Sequence, residues 1–338
     1  MICNPSPGLR GHSHKLLPTL IAIAPVIALG LLGLAESQSP EATKMIQAEM
    51  KGQCVTCHKP FVDEWKASGH AAAWKRAPFQ QQAGKNAQRV EQCDGCHAPM
   101  PVLIGGLDKQ PKSRGATAPD SGVMCVTCHM DANGAMHGPF DGESDFHKTV
   151  KDKNYTQSNA VCVSCHGQVG GVGVEFNQIT SFADYAKGNA LAACSDCHMR
   201  PVERQASTED GKPKRMCAKH DWHGAYDANS LQSAINLTVR LSGTTATASI
   251  ANLTGHLLPA GAWRQAILEI TANGQVVKRE VFTKEFGGAT DTRLKPLERK
   301  RVTAEVPAGA KVAARLWWKL MPDTPDQERK LMAEAEIK

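Results

Sequence analysis

Apolar residues run almost unbroken from Leu16 to Ala35, interrupted by Pro18 and Pro25 and preceded by Arg10, His12, His14 and Lys15. A positive stretch, an apolar stretch and the small-x-small end Gly33-Leu34-Ala35 predict a secretory signal peptide over residues 1–35. An uncleaved anchor is the alternative, since a run of this length can span a bilayer. The two prolines and the Gly-x-Ala end favour cleavage. Either way the remainder is exported, to the periplasm or outside the cell.

Beyond the leader the pattern becomes polar and helical. Pro40 to Met50 reads as a short polar helix. The alanine-rich stretch Phe61–Trp74 has apolar residues three and four apart and predicts a helix that carries His70. Gln80–Gln92 and Phe176–Ala193 read as two further helices. Pro99–Gly122 is rich in Pro and Gly and reads as a loop. Near Asn229 the period changes. Alternating, β-branched runs follow at Ile235–Leu241, Thr245–Ala251, Gln265–Thr271, Val276–Thr283, Lys300–Val306 and Lys311–Trp318. Asn273-Gly274 between two of them is a hairpin signal. The fold class is therefore multidomain α + β. A mainly helical and loop domain, residues 36–228, precedes a small all-β, immunoglobulin-like sandwich, residues 229–338.

The helical part is punctuated by one pentapeptide in five copies. They are Cys54-Val55-Thr56-Cys57-His58, Cys93-Asp94-Gly95-Cys96-His97, Cys125-Val126-Thr127-Cys128-His129, Cys162-Val163-Ser164-Cys165-His166 and Cys194-Ser195-Asp196-Cys197-His198. Each is C-x-x-C-H, the attachment sequence for a c-type haem. The two thiols add to two vinyl groups of one porphyrin, and the histidine lies beneath the iron. A C-x-x-C pair alone would equally suit a zinc knuckle or a dithiol site. Zinc knuckles pair up, however, and zinc needs no histidine after every second cysteine. Five histidines in five copies by chance is on the order of 10⁻⁷ at this composition. The expectation is five covalent haem c groups.

Composition fits that count. Aromatics are 5% of the chain, and the segment between the first and last motif would make a poor core by itself. Porphyrins supply the missing apolar surface, giving a haem-packed core. The formal charge of +6 does not point to nucleic acid. Removing the leader's two cations leaves +4, and each bis-histidine ferric haem adds about −1, so the holoprotein is near neutral. Ten of the twelve cysteines belong to the motifs and Cys3 to the leader. Cys217 is left over, and reads as a buried, inert thiol rather than a disulfide partner.

Each iron has a proximal ligand in His58, His97, His129, His166 or His198. Six histidines remain as distal candidates: His70, His137, His147, His220, His223 and His256. Six for five irons is close to a match, and four or five are expected to ligate. His220 and His223 could serve two different irons. His256 lies in a turn between two strands, from which it would clamp the β domain onto a haem.

Trp65…Ser68-Gly69-His70-Ala71 after the first motif, with Cys128-His129-Met130 and Cys197-His198-Met199, resembles the cytochrome c-554 type of multihaem cytochrome over roughly residues 50–224. The resemblance implies closely stacked porphyrins and electron transport outside the cytoplasm. It also implies that some members keep one reactive, five-coordinate iron. This chain differs in having five motifs and histidines enough for every iron.

The functional expectation is an electron carrier rather than an enzyme, passing electrons through mostly bis-histidine haems of a respiratory chain between redox partner proteins. Two readings stay open beside it. One is a multihaem reductase or oxidase of a small nitrogen or sulfur compound, with Lys219, Asp221 and Arg264 as accessory groups. The other is a subunit of an extracellular cytochrome filament, a homo-oligomer.

Overall fold

The computed structural model describes residues 38–85, 93–107, 109–114, 121–156, 159–167, 193–209, 211–261, 264–285 and 289–337. The leader, the Phe176–Ala192 part of the expected helix and residues 86–92 of another lie outside them. Among the described residues no helix is long and apolar enough to cross a membrane.

The first helix, α1, spans Pro40–Met50, as its pattern predicts. The Ser39 side chain accepts from Ala42 N and Pro40 fills the first turn, where a missing N–H costs nothing. Its buried face, Ala42, Met45 and Ile46, packs on Met124, Val126 and Met130 around the third motif. Helix α2, Val55–Lys66, begins inside the first motif and stops eight residues short of the predicted end. His70 therefore lies in a run of turns, not on a helix. Beyond α2 the chain runs in turns that a long-range contact holds. The His70 carbonyl accepts from Ala73 N at 3.1 Å and from Val123 N at 2.9 Å. Gly122 permits this approach, since a Cβ there would sit 2.2 Å from the His70 oxygen. Helix α3 covers only Ala77–Ala83. The Pro99–Gly122 loop contains one helical turn, Val102–Gly105.

Two small pairings were not legible in the pattern. Strands β1 (Met136–Gly138) and β2 (Thr149–Lys151) lie parallel. Strands β3 (Pro201–Gln205) and β4 (Lys214–Ala218) form an antiparallel hairpin. The first two are only three residues long, and β3 and β4 are too charged to show a clean alternation.

The C-terminal strands do follow the pattern. They are β5 (Ile235–Ser242), β6 (Thr245–Asn252), β7 (Gln265–Ala272), β8 (Gln275–Phe282), β9 (Arg299–Glu305) and β10 (Val312–Lys319). A seventh, β11 (Lys330–Glu336), was not anticipated. They form a three-stranded sheet, β5-β6-β9, and a four-stranded sheet, β11-β10-β7-β8. Asn273 and Gly274, at φ 53° and 82°, make the tight turn between β7 and β8. Ala246, Ala248 and Ile250 from one sheet and Leu268, Ile270 and Leu316 from the other belong to one buried cluster. The described residues before β5 hold two much smaller apolar clusters. The described residues of the first part thus lack the core that a polypeptide alone would need.

Candidate metal centres

The five C-x-x-C-H segments form short helical turns: Gly95–His97, Cys125–His129, Ala160–His166, Cys194–His198 and the start of α2. One turn of helix puts both thiols and the histidine on the same side. The thiols are unpaired by disulfides, and burial pushes Cys54 up to about 11 and Cys128 up to about 12. The segments adjoin. Cys96 lies beside Cys165, and Cys162 beside Cys194, so the second, fourth and fifth sites meet. Glu49 joins the first and third. Its carboxylate accepts from Cys125 N at 2.6 Å and Val126 N at 2.8 Å, and it lines one cavity with Cys54, Trp65 and Cys125.

Four of the motif histidines share a second feature. Nδ1 lies within hydrogen-bond distance of a backbone carbonyl: His58 with Ala206 at 2.7 Å, His97 with Ala73 at 3.0 Å, His129 with His137 at 2.7 Å and His198 with His223 at 2.5 Å. A donated Nδ1–H fixes the tautomer and leaves the Nε2 lone pair free for a metal.

Four other histidine rings face motif rings. His58 and His147 have centroids 6.2 Å apart, His129 and His220 6.1 Å, His198 and His256 6.3 Å, and His70 and His166 6.0 Å. Direct ring stacking would bring them closer, as Phe79 shows against His97 at 3.8 Å. Two metal–nitrogen bonds of about 2 Å plus half a ring on either side span about 6 Å. Each gap therefore fits one iron. Burial lowers the His70 pKa to about 3 and those of His166 and His220 to about 4, so these rings are neutral at pH 7 and keep a lone pair. His70 Nδ1 is buried and has no hydrogen-bond partner, an orphan consistent with a group that belongs in that space.

Each facing ring is held by its own surroundings. His256 lies between β6 and β7, and its carbonyl accepts from Asn252 Nδ2 and Thr254 Oγ1, both at 2.9 Å. His220 follows β4. Its backbone N–H donates to Glu64 Oε2 at 2.8 Å, and Arg204 of β3 grips the same carboxylate with two bonds of 2.7 and 2.8 Å. Phe61 packs edge-on against His220 and lies beneath Arg204. His70 has Trp222 edge-on at 4.6 Å.

The remaining two candidates are placed differently. His137 has Nδ1 2.9 Å from Asp152 Oδ2 and Nε2 3.2 Å from Asp131 Oδ2. His223 has Nε2 2.8 Å from Asp221 Oδ2 and Nδ1 3.7 Å from Asp227 Oδ1. Neither ring faces a motif histidine among the described contacts. His97 likewise meets Phe79 rather than a histidine. A ring whose nitrogens both face carboxylates is turned toward those groups rather than toward a motif histidine, which the chain order alone does not reveal. Cys217 is buried, as expected, and its thiol reaches the Arg204 carbonyl.

Residues 53–130 match the family described as cytochrome c554 and c-prime. A penta-heme cytochrome c552 from Thermochromatium tepidum is similar in structure, with a TM-score of 0.63 at 22% identity, over 85% of this chain and 98% of that one. The archaellum periplasmic stator protein FlaG from Sulfolobus acidocaldarius aligns with 30% of this chain and 97% of its own at 10% identity. Its TM-score of 0.17 is too low for any shared fold to follow. No curated protein matches the sequence.

Proposed function

We propose that this chain, a multihaem c-type cytochrome with covalently bound haem c, is an exported pentahaem electron carrier of a respiratory chain. Four of its irons take two histidines each: His58 with His147, His129 with His220, His166 with His70 and His198 with His256. The observation that carries this reading is the set of four ring pairs at 6.0–6.3 Å. His97 is the proximal ligand of the fifth iron, and among the described residues no second histidine ring faces it. The division into a haem domain, 36–228, and an immunoglobulin-like β domain, 229–338, is part of the same reading. The sheet orders β5-β6-β9 and β11-β10-β7-β8 support it.

Haem c, when bound, supplies the one-electron iron couple. With haem bound, the polypeptide would offer two imidazoles to each of four irons, which leaves little geometry to reorganise. The adjoining attachment sites favour transfer from one centre to the next. Redox partner proteins give and take the electrons. Nothing in the comparisons favours a reductase or a filament subunit.

The test is ferric EPR with optical spectra of the mature holoprotein. Low-spin signals from four irons in five, with bis-histidine g values, are expected. A mostly high-spin protein would refute the pairing.

A further inference from the structure

The two histidines that do not face a motif ring are placed alike. The carbonyl oxygen of His137 lies 2.7 Å from His129 Nδ1, and its ring lies between Asp131 and Asp152. The carbonyl oxygen of His223 lies 2.5 Å from His198 Nδ1, and its ring lies between Asp221 and Asp227. One residue type thus appears twice in one constellation, at the third and the fifth motif, from segments with no sequence likeness.

The aspartates are themselves fixed. Asp131 Oδ1 accepts from Asn133 N and Ala135 N, both at 2.9 Å, which leaves Oδ2 for His137. Asp152 Oδ1 accepts from Asn154 N at 2.9 Å, which leaves its Oδ2 for the other ring nitrogen. The His137 main chain is also paired, β1 against β2, with Asp152 N donating to the Gly138 carbonyl. At the fifth motif Asp227 Oδ1 caps the following helix through Ser230 N, and Asp221 carries the shorter contact to His223. The side chains anchor two peptide groups whose carbonyls lie on the Nδ1 of a proximal histidine.

We propose that His137 and His223 are positioning residues: the aspartate clamp on each ring holds its backbone carbonyl on the Nδ1–H of His129 or His198 and so sets the donor strength of that ligand. This rests on the reading that His129 and His198 ligate iron. An Nδ1–H that donates to a fixed carbonyl makes the imidazole a stronger donor through Nε2 and favours the ferric state. The clamp therefore lowers the potentials of the third and fifth haems relative to the same pairs without it. The contacts at His137 are the tighter, so the third haem carries the larger effect.

The experiment uses the holoprotein matured in a haem-attaching host, with potentiometric titration followed optically and by EPR. His137→Leu removes the ring that the carboxylates hold. Asp131→Asn with Asp152→Asn is the milder variant, which keeps the Oδ1 acceptors of both turns and removes both charges. Either should raise one of five midpoint potentials and leave the low-spin count unchanged. The expected change is on the order of tenfold in the reduction equilibrium for His137→Leu, about 59 mV for one electron, and less for the double variant. If no midpoint moves while the low-spin count holds, the positioning role is wrong and the ligand pairs stand. If His137→Leu creates a new high-spin ferric iron, His137 is itself a ligand, and both the role and the pairing fall.

Discussion

Glu64 belongs to the helix of the first motif, yet it holds the ring proposed for the third iron. Its carboxylate receives two bonds from Arg204 and one from His220 N, with the Arg204 and Glu64 side chains 15% and 18% exposed. Glu64→Gln keeps the shape and removes the charge. A fully buried ion pair broken on one side costs about 3–5 kcal/mol, and an exposed one about 0–1 kcal/mol. At this exposure the loss should be about 2 kcal/mol, in line with hydrogen bonds to charged groups. That is roughly a 30-fold change in the balance between a held and a displaced His220. Denaturant unfolding at pH 7 reads the first quantity, and a new high-spin ferric signal reads the second. The pH dependence gives a further check. Burial alone would raise the Glu64 carboxyl, but the bonds from Arg204 and from His220 N outweigh it and hold the pKa below the ordinary 4.5. A depressed carboxyl contributes stability above its unfolded pKa and loses it as pH falls through the folded value. The native protein and the variant should therefore differ most at neutral pH and converge below pH 4.5. A difference under about 0.5 kcal/mol at pH 7, the range of an ordinary surface change, with no high-spin signal, would refute the reasoning.

Other outcomes follow from the same geometry. His256→Ala should turn one low-spin iron high-spin and leave the others, because the β domain supplies that ring; an unchanged EPR spectrum would remove His256 from the ligand set. Carbon monoxide should bind the reduced protein at one iron in five, the iron of His97; uptake at none, or at several, in an optical titration would contradict the count. Leu316, fully buried between the sheets, should cost about 2–5 kcal/mol when cut to Ala, measured as β-domain unfolding in denaturant with the haem spectra held constant below the transition.

A c-type attachment site is contiguous, so residues such as Cys125, Cys128 and His129 declare their chemistry wherever the chain goes. Strands declare themselves nearly as well. Ala246, Ala248 and Ile250 alternate because one face of β6 is buried, and that period is written in the sequence. The β3–β4 hairpin escaped notice because its charged side chains pair with distant groups, as Arg204 does with Glu64. The turns that follow α2 are held by Val123 N on the His70 carbonyl, a long-range bond that no local pattern encodes.

The sequence by itself carried the five C-x-x-C-H segments that mark covalent haem c and the alternating runs of β5 to β10. Only the tertiary structure decided which of six other histidines face those five. Ligand pairing joins residues far apart in the chain, and a histidine's role depends on what reaches its nitrogens first. His147 and His220 meet imidazoles across a gap the width of an iron. His137, just as plausible in the sequence, meets two carboxylates instead.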